Sequence, residues 1–157
     1  MNKLTKEQKR VAKKRRAENR AKRVVESHIK KSVLTTHVDM DAITEIMHIV
    51  GDFDYIAIKN KGFMPLHIER LSPSMISVAH YYDWNGDLAP DPEMIFELRD
   101  GFMQPTCYRY LNFTEVMRDK FTISKYCESA KSWNGRIRQQ GFVEASKSKD
   151  NVTVGVL

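Results

Sequence analysis

Large apolar residues are almost absent at the start of the chain, then recur with a helical period, then alternate, then return to a helical period. From Asn2 to Ile29 there is no proline or glycine, and Lys, Arg, Glu, Gln and Ala dominate. That composition favours a helix, with Thr5 as its N-cap and Gln8 at the capping-box position. Between Leu4 and Val24 the only large apolar residue is Val11, so the middle of this helix has no apolar face to bury. Val24, Val25, His28 and Ile29 make a small apolar patch at the far end, the expected docking point on the rest of the chain.

Thr35-Thr36-His37-Val38-Asp39 supplies helix-start residues. Ile43, Ile46, Met47 and Val50 then come at i, i+3, i+4 and i+7, and Gly51 stops the run. This predicts a short amphipathic helix over 41–50. From Asp52 the period changes to two, and five strands are expected: 55–59, 66–71, 75–83, 93–99 and 102–111. Their separators are Asn60-Lys61-Gly62, Ser72-Pro73-Ser74, the stretch from Asn85 through Pro90 and Pro92, and Asp100-Gly101. Connections this short predict antiparallel neighbours. Pro105 marks the fifth strand as an edge or as bulged. In the fourth strand Met94, Phe96 and Leu98 face in, while Glu93, Glu97 and Arg99 face water. Ile123, Tyr126, Cys127, Ala130, Trp133 and Ile137 restore the helical period over 122–140, with Gly141 as the stop. Asn134-Gly135 is an awkward pair inside that helix.

The fold class is therefore α+β: a meander of about five antiparallel strands packed by two helices, preceded by a basic helical arm. The expected divisions are an arm over 1–34, a core domain over 35–145 and a flexible tail over 146–157. Within the tail, Val152-Thr153-Val154 has the composition of a short strand.

Charge sharpens that division. Residues 1–31 hold 13 Lys+Arg against 3 Asp+Glu, whereas the whole chain has 26 against 20, leaving 13 against 17 for the rest. The formal net charge of +6 thus joins an arm at +10 to a body at −4. Attraction to a polyanion belongs to the arm alone. Lys9, Arg10, Lys13, Lys14, Arg15, Arg16, Arg20, Lys22 and Arg23 are the candidate phosphate contacts, giving salt-sensitive and sequence-tolerant affinity for DNA or RNA. The competing reading is a solvated tail that serves solubility; thirteen cations exceed that need. Like charges at Lys9/Lys13, Arg10/Lys14 and Arg16/Arg20 repel by roughly 0.2–0.5 kcal/mol each, so the helix should fray alone and firm against an anion. Residues 15–23 faintly resemble the basic region of leucine-zipper transcription factors, but no leucine heptad comes after them, which argues against sequence-specific readout.

Other chemistry is thin. Asp83, Asn85 and Asp87 match the first ligand positions of a calcium loop, but Leu88 stands where glycine is needed and Met94 where the bidentate Glu belongs. His37, Asp39 and Asp41 read as helix-start caps and dipole partners rather than metal ligands. Asp83, Asp87, Asp91 and Glu93, with His80 nearby, would suit acid–base work only if they converge, and a hairpin turn at Asn85-Gly86 accounts for them more simply. Tyr81, Tyr82, Trp84, Phe96, Phe102, Tyr108 and Tyr110 could stack bases, although alternating aromatics in a meander more often pack. No cofactor or metal is expected, and no enzyme motif is present. Cys107 and Cys127 read as buried thiols in a reducing, cytoplasmic setting. No stretch approaches the ~20 apolar residues of a membrane span, and no secretory signal is expected.

The strings Gly62 to Leu71, Ser77-Val78-Ala79-His80-Tyr81-Tyr82, Asn85-Gly86-Asp87-Leu88 and Asp91-Pro92-Glu93-Met94, with Trp133 and Gln140-Gly141-Phe142, carry a family resemblance. Together they resemble an uncharacterised family of small bacterial, plasmid and phage proteins, known as a domain of unknown function, over roughly residues 52–143. The resemblance implies a mobile-element context and transfers no activity or site residue. The expected function is a non-enzymatic accessory protein that binds nucleic acid or a nucleoprotein through its arm. Two alternatives stand beside it: an inhibitor of a host defence nuclease complex, of anti-CRISPR or anti-restriction type, and a hydrolase using the Asp83–Glu93 carboxylates.

Overall fold

The computed structural model describes residues 6–31 and 34–156. The chain forms two compact units, residues 1–34 and 35–157. The first unit is one helix, α1 (Lys6–Lys31), and its described side chains, Glu7 and residues 10–23, are all exposed. The expected Thr5 cap, its Gln8 partner and the Val24–Ile29 patch lie outside the described residues or side chains.

The second unit is an antiparallel sheet with helices on one face. In chain order it runs α2 (Asp41–Val50), β1 (Tyr55–Ile58), β2 (Leu66–Ser72), β3 (Met75–Trp84), β4 (Asp87–Arg99), β5 (Phe102–Tyr110), β6 (Phe113–Val116), α3 (Lys120–Gln139), α4 (Phe142–Ala145) and β7 (Val152–Gly155). The sheet order is β6-β5-β4-β3-β2-β1-β7. The antiparallel meander is present, but it has seven strands where five were expected, and the two additions close its two ends.

The sequence offers no signal for β6, whereas Val152-Thr153-Val154 already has a strand's composition. β6 comes after a turn at Leu111-Asn112 that contains neither Gly nor Pro, with Leu111 itself at φ 51°, a conformation a branched side chain rarely adopts. β7 comes from the expected tail. It pairs with β1 in the register Tyr55↔Gly155, Ile56↔Val154, Ala57↔Thr153 and Ile58↔Val152, so residues 152–155 are sheet rather than loose tail. β4 is also longer than its expected 93–99. It takes in Pro90 and Pro92, read as separators, where the pairing with β3 shifts between Ala79 and Tyr81. Proline removes only a donor there, and the Pro90 carbonyl still accepts from the Leu111 N–H at 2.7 Å. Pro105 sits at a register shift opposite Ile95/Phe96. It marks a bulge; β6 pairs farther along β5, so β5 is not the edge.

The turns obey their residues. Asn85 (φ 53°) and Gly86 (φ 90°) both adopt positive φ, as do Asp100 and Gly101, which is the I′ geometry that suits twisted hairpins. Gly51 at φ 84° ends α2 and donates its N–H to the Met47 carbonyl at 3.0 Å. Asp119 caps α3, accepting from the N–H groups of Phe121 and Thr122 at 3.0 and 2.9 Å.

One core lies between the helices and one face of the sheet. Ile43 and Ile46 of α2 meet Ile56, Ile58, Leu66, Ile68, Ile76, Val78, Met94 and Phe96 from the strands; α3 adds Tyr126, Cys127, Ala130, Trp133 and Ile137, and α4 adds Phe142. Burying side chains of this size contributes about 1.5–3 kcal/mol each before entropy is counted. Asn134, the awkward residue of α3, ties that helix to α2. Its Oδ1 accepts from the Ala42 N–H at 3.1 Å, and its Nδ2 donates to Asp41 at 2.5 Å. Asn134 thereby caps α2 from another helix. The expected local cap is absent: the N-cap position is Met40, with no side-chain hydrogen bond.

Candidate nucleic-acid interface

The sequence placed all candidate phosphate contacts on the arm, and the structure puts Arg10, Lys13, Lys14, Arg15, Arg16, Arg20, Lys22 and Arg23 on α1, every one exposed. Lys9 is on the same helix, its side chain outside those described. Among the described side chains the acids of α1 are Glu7 and Glu18. Eight exposed guanidinium and ammonium groups within fourteen residues make a strong positive field. Such a field suits phosphates, and none of the described arm cations appears in an ion pair.

The body's candidate residues do not assemble. At the β3–β4 hairpin Asp83 accepts from the Gly86 N–H at 2.8 Å, a local turn role. Asp83 and Asp87 stay exposed at the tip, whereas Glu93 is buried six residues farther along β4. Among the described residues no three His, Cys, Asp or Glu side chains converge as metal ligands. His80 is a core histidine: it lies between the rings of Trp133 and Phe142, with Nδ1 3.0 Å from the Pro65 carbonyl. Burial pushes its pKa down against the opposing pull of the Pro65 and Met64 carbonyls and Asp91.

Glu93 corrects another expectation, because it does not face water. Its carboxylate accepts from Ser77 Oγ at 2.6 Å and from Arg109 at 3.0 Å. The register sets His67, Ala79, Glu93 and Arg109 side by side across β2–β5, on the face opposite the helices. Beside them Tyr55 Oη lies 2.6 Å from His67 Nδ1, and the His67 and Tyr81 rings meet edge-on at 5.1 Å. Burial, then the charges of Glu93 and Glu69, push the Tyr81 hydroxyl up to about 12. Burial and the neighbouring His80 hold His67 down. Sequence alternation assigned this face to solvent; the cross-strand register of an ionic pair was the missing information.

The aromatics divide. Phe96 is core, and Tyr108 stacks on Tyr126 at 4.9 Å. Tyr126 also donates a hydrogen bond to Glu115, and burial followed by that carboxylate pushes its pKa up. Tyr82, Trp84, Phe102 and Tyr110 are exposed, and Trp84, Asp87, Ala89, Leu111 and Asn112 line a cavity of about 330 Å³ beside the hairpin. Cys107 and Cys127 are both free and buried, and burial pushes the Cys127 thiol up to about 11, far from thiolate reactivity at neutral pH.

Fold and charge together define an α+β sheet domain that carries a separate cationic helix. The chain belongs to the family described as Domain of unknown function (DUF6908), matched over residues 39–143. That span takes in α2 through the start of α4 and leaves both α1 and β7 outside. No curated protein and no solved structure matches the chain. No helix among the described residues is long and apolar enough to cross a membrane.

Proposed function

We propose that the protein is a non-enzymatic accessory factor that binds nucleic acid, free or within a nucleoprotein, through α1. The observation that supports this reading most is the helix itself, a 26-residue element with eight exposed cations between Arg10 and Arg23. Each neutralised phosphate releases condensed counterions, so affinity arises without a shaped pocket and falls steeply with salt. The body's net −4 cannot supply that attraction. The mobile-element setting and cytoplasmic location belong to the same reading. The test is binding to a labelled duplex across a salt series, with the whole chain and with residues 1–31 removed. Binding by the whole chain should weaken linearly in log–log form and vanish on truncation. Undiminished binding by the truncated chain at low salt would sink the reading.

A further inference from the structure

We infer that α1 meets its nucleic acid through one defined face, the row Lys13-Arg16-Arg20-Arg23, and that this row lies along the phosphate backbone of a duplex. The inference rests on the proposed nucleic-acid function and deepens it. A helix turns ~100° per residue, so steps of three, four and three residues keep these four side chains within roughly 80° of the circumference. The row is about 15 Å long at 1.5 Å per residue. By backbone position Lys9 is its next member. The other described cations, Arg10, Lys14, Arg15 and Lys22, fall outside the sector. Glu7, Val11 and Glu18 lie on the opposite side.

The acids Glu7 and Glu18 and the apolar Val11 thus avoid the row. A tail evolved only for solubility has no reason to segregate them. The row also repels itself, since its members are i,i+3 and i,i+4 neighbours of like charge. A line of phosphates removes that repulsion and adds attraction at every step, so the row gains more from a backbone than scattered charges do. A duplex fits better than a flexible single strand, because its phosphates stand in a fixed line that a rigid helix can track. A lipid surface is a poorer occupant: along the stretch that carries the row, residues 13–23, the sequence has no large apolar residue to sink among acyl chains.

Two full-length variants with equal charge loss test the inference. One is Lys13→Gln/Arg16→Gln/Arg20→Gln/Arg23→Gln; the other is Arg10→Gln/Lys14→Gln/Arg15→Gln/Lys22→Gln. Binding to short DNA and RNA duplexes is measured across salt, with circular dichroism to compare helix content. The row variant should lose at least ~30-fold affinity at low salt and reduce the magnitude of the salt slope by about three to four. The off-row variant should lose less than ~5-fold and change the slope by about one or less. This difference on either polymer supports the inference, and the polymer that shows it supplies the phosphates. Equal losses on both polymers overturn the inference and leave the nucleic-acid function standing. A wild-type chain that binds neither duplex overturns that function itself. Anionic vesicles that compete with the same row dependence would also overturn the inference.

Discussion

The arm and the body solve the problem of polar groups in opposite ways. On α1 the described charges stand in water, unpaired, and hold nothing together. In the body every buried side-chain nitrogen and oxygen among the described residues has a hydrogen-bond partner, and one apolar core joins three helices to the seven-stranded sheet. Substitutions in the body should therefore be read in stability, and substitutions in the arm in the salt-dependent binding proposed for it. That separation can be broken at several points.

The largest effect belongs to the core. Phe96→Ala empties the middle of the sheet's helical face and should cost about 3–5 kcal/mol in urea unfolding, while leaving the binding proposed for α1 unchanged wherever the variant remains folded. Next comes Asn134→Ala, which leaves the Ala42 N–H without its acceptor and Asp41 without one donor. Arg138 still reaches Asp41 at 2.8 Å, so the loss should be about 1–3 kcal/mol. Arg109→Met strips the guanidinium from a Glu93 side chain that is only 8% exposed. Because Arg109 is itself half in water, solvent screening limits the loss to about 1–2 kcal/mol. Adding Glu93→Gln should recover part of it, since Gln accepts from Ser77 without a buried charge; no recovery would show that the pair matters through packing alone.

A smaller effect is pH dependence. His80 and His67 both have depressed pKa values, chiefly from burial. Unfolding frees each to protonate near its ordinary ~6.5, so the unfolded state binds more protons just below that pH. Their stabilising effect is complete above ~6.5 and is lost as pH falls through the folded values. Unfolding midpoints should thus drop from pH 7 to pH 5. His80→Leu should flatten that drop, and an unchanged slope would assign it to other groups.

The same contrast governs how much of the molecule was legible in the sequence. Local signals were readable: α2 spans 41–50 as its apolar stripe required, the Asn85-Gly86 and Asp100-Gly101 turns close hairpins, and the α3 stripe faces the core. What failed depends on partners far along the chain. Val152-Thr153-Val154 has a strand's composition, but its place beside β1 is not written locally, the Asn134 contact with α2 spans 92 residues, and Glu93 looked solvent-facing until Arg109 was set beside it. The arm's positive charge was readable because charge is a composition, whereas the alignment of Lys13, Arg16, Arg20 and Arg23 has meaning only once the segment is known to be a continuous helix.

The smallest predicted effect is also the sharpest test of the separation. Arg16→Gln and Arg20→Gln, singly or together, remove exposed charges that make no described contact with any other side chain. Each should change the unfolding free energy of the body by less than ~0.5 kcal/mol, while relief of like-charge repulsion gains the helix a few tenths of a kcal/mol. Urea unfolding monitored by tryptophan fluorescence isolates the body, because Trp84 and Trp133 both lie in it. A shift above that limit would mean that the arm's charges act on the fold, and the division between an electrostatic helix and a packed sheet would fail at its simplest point.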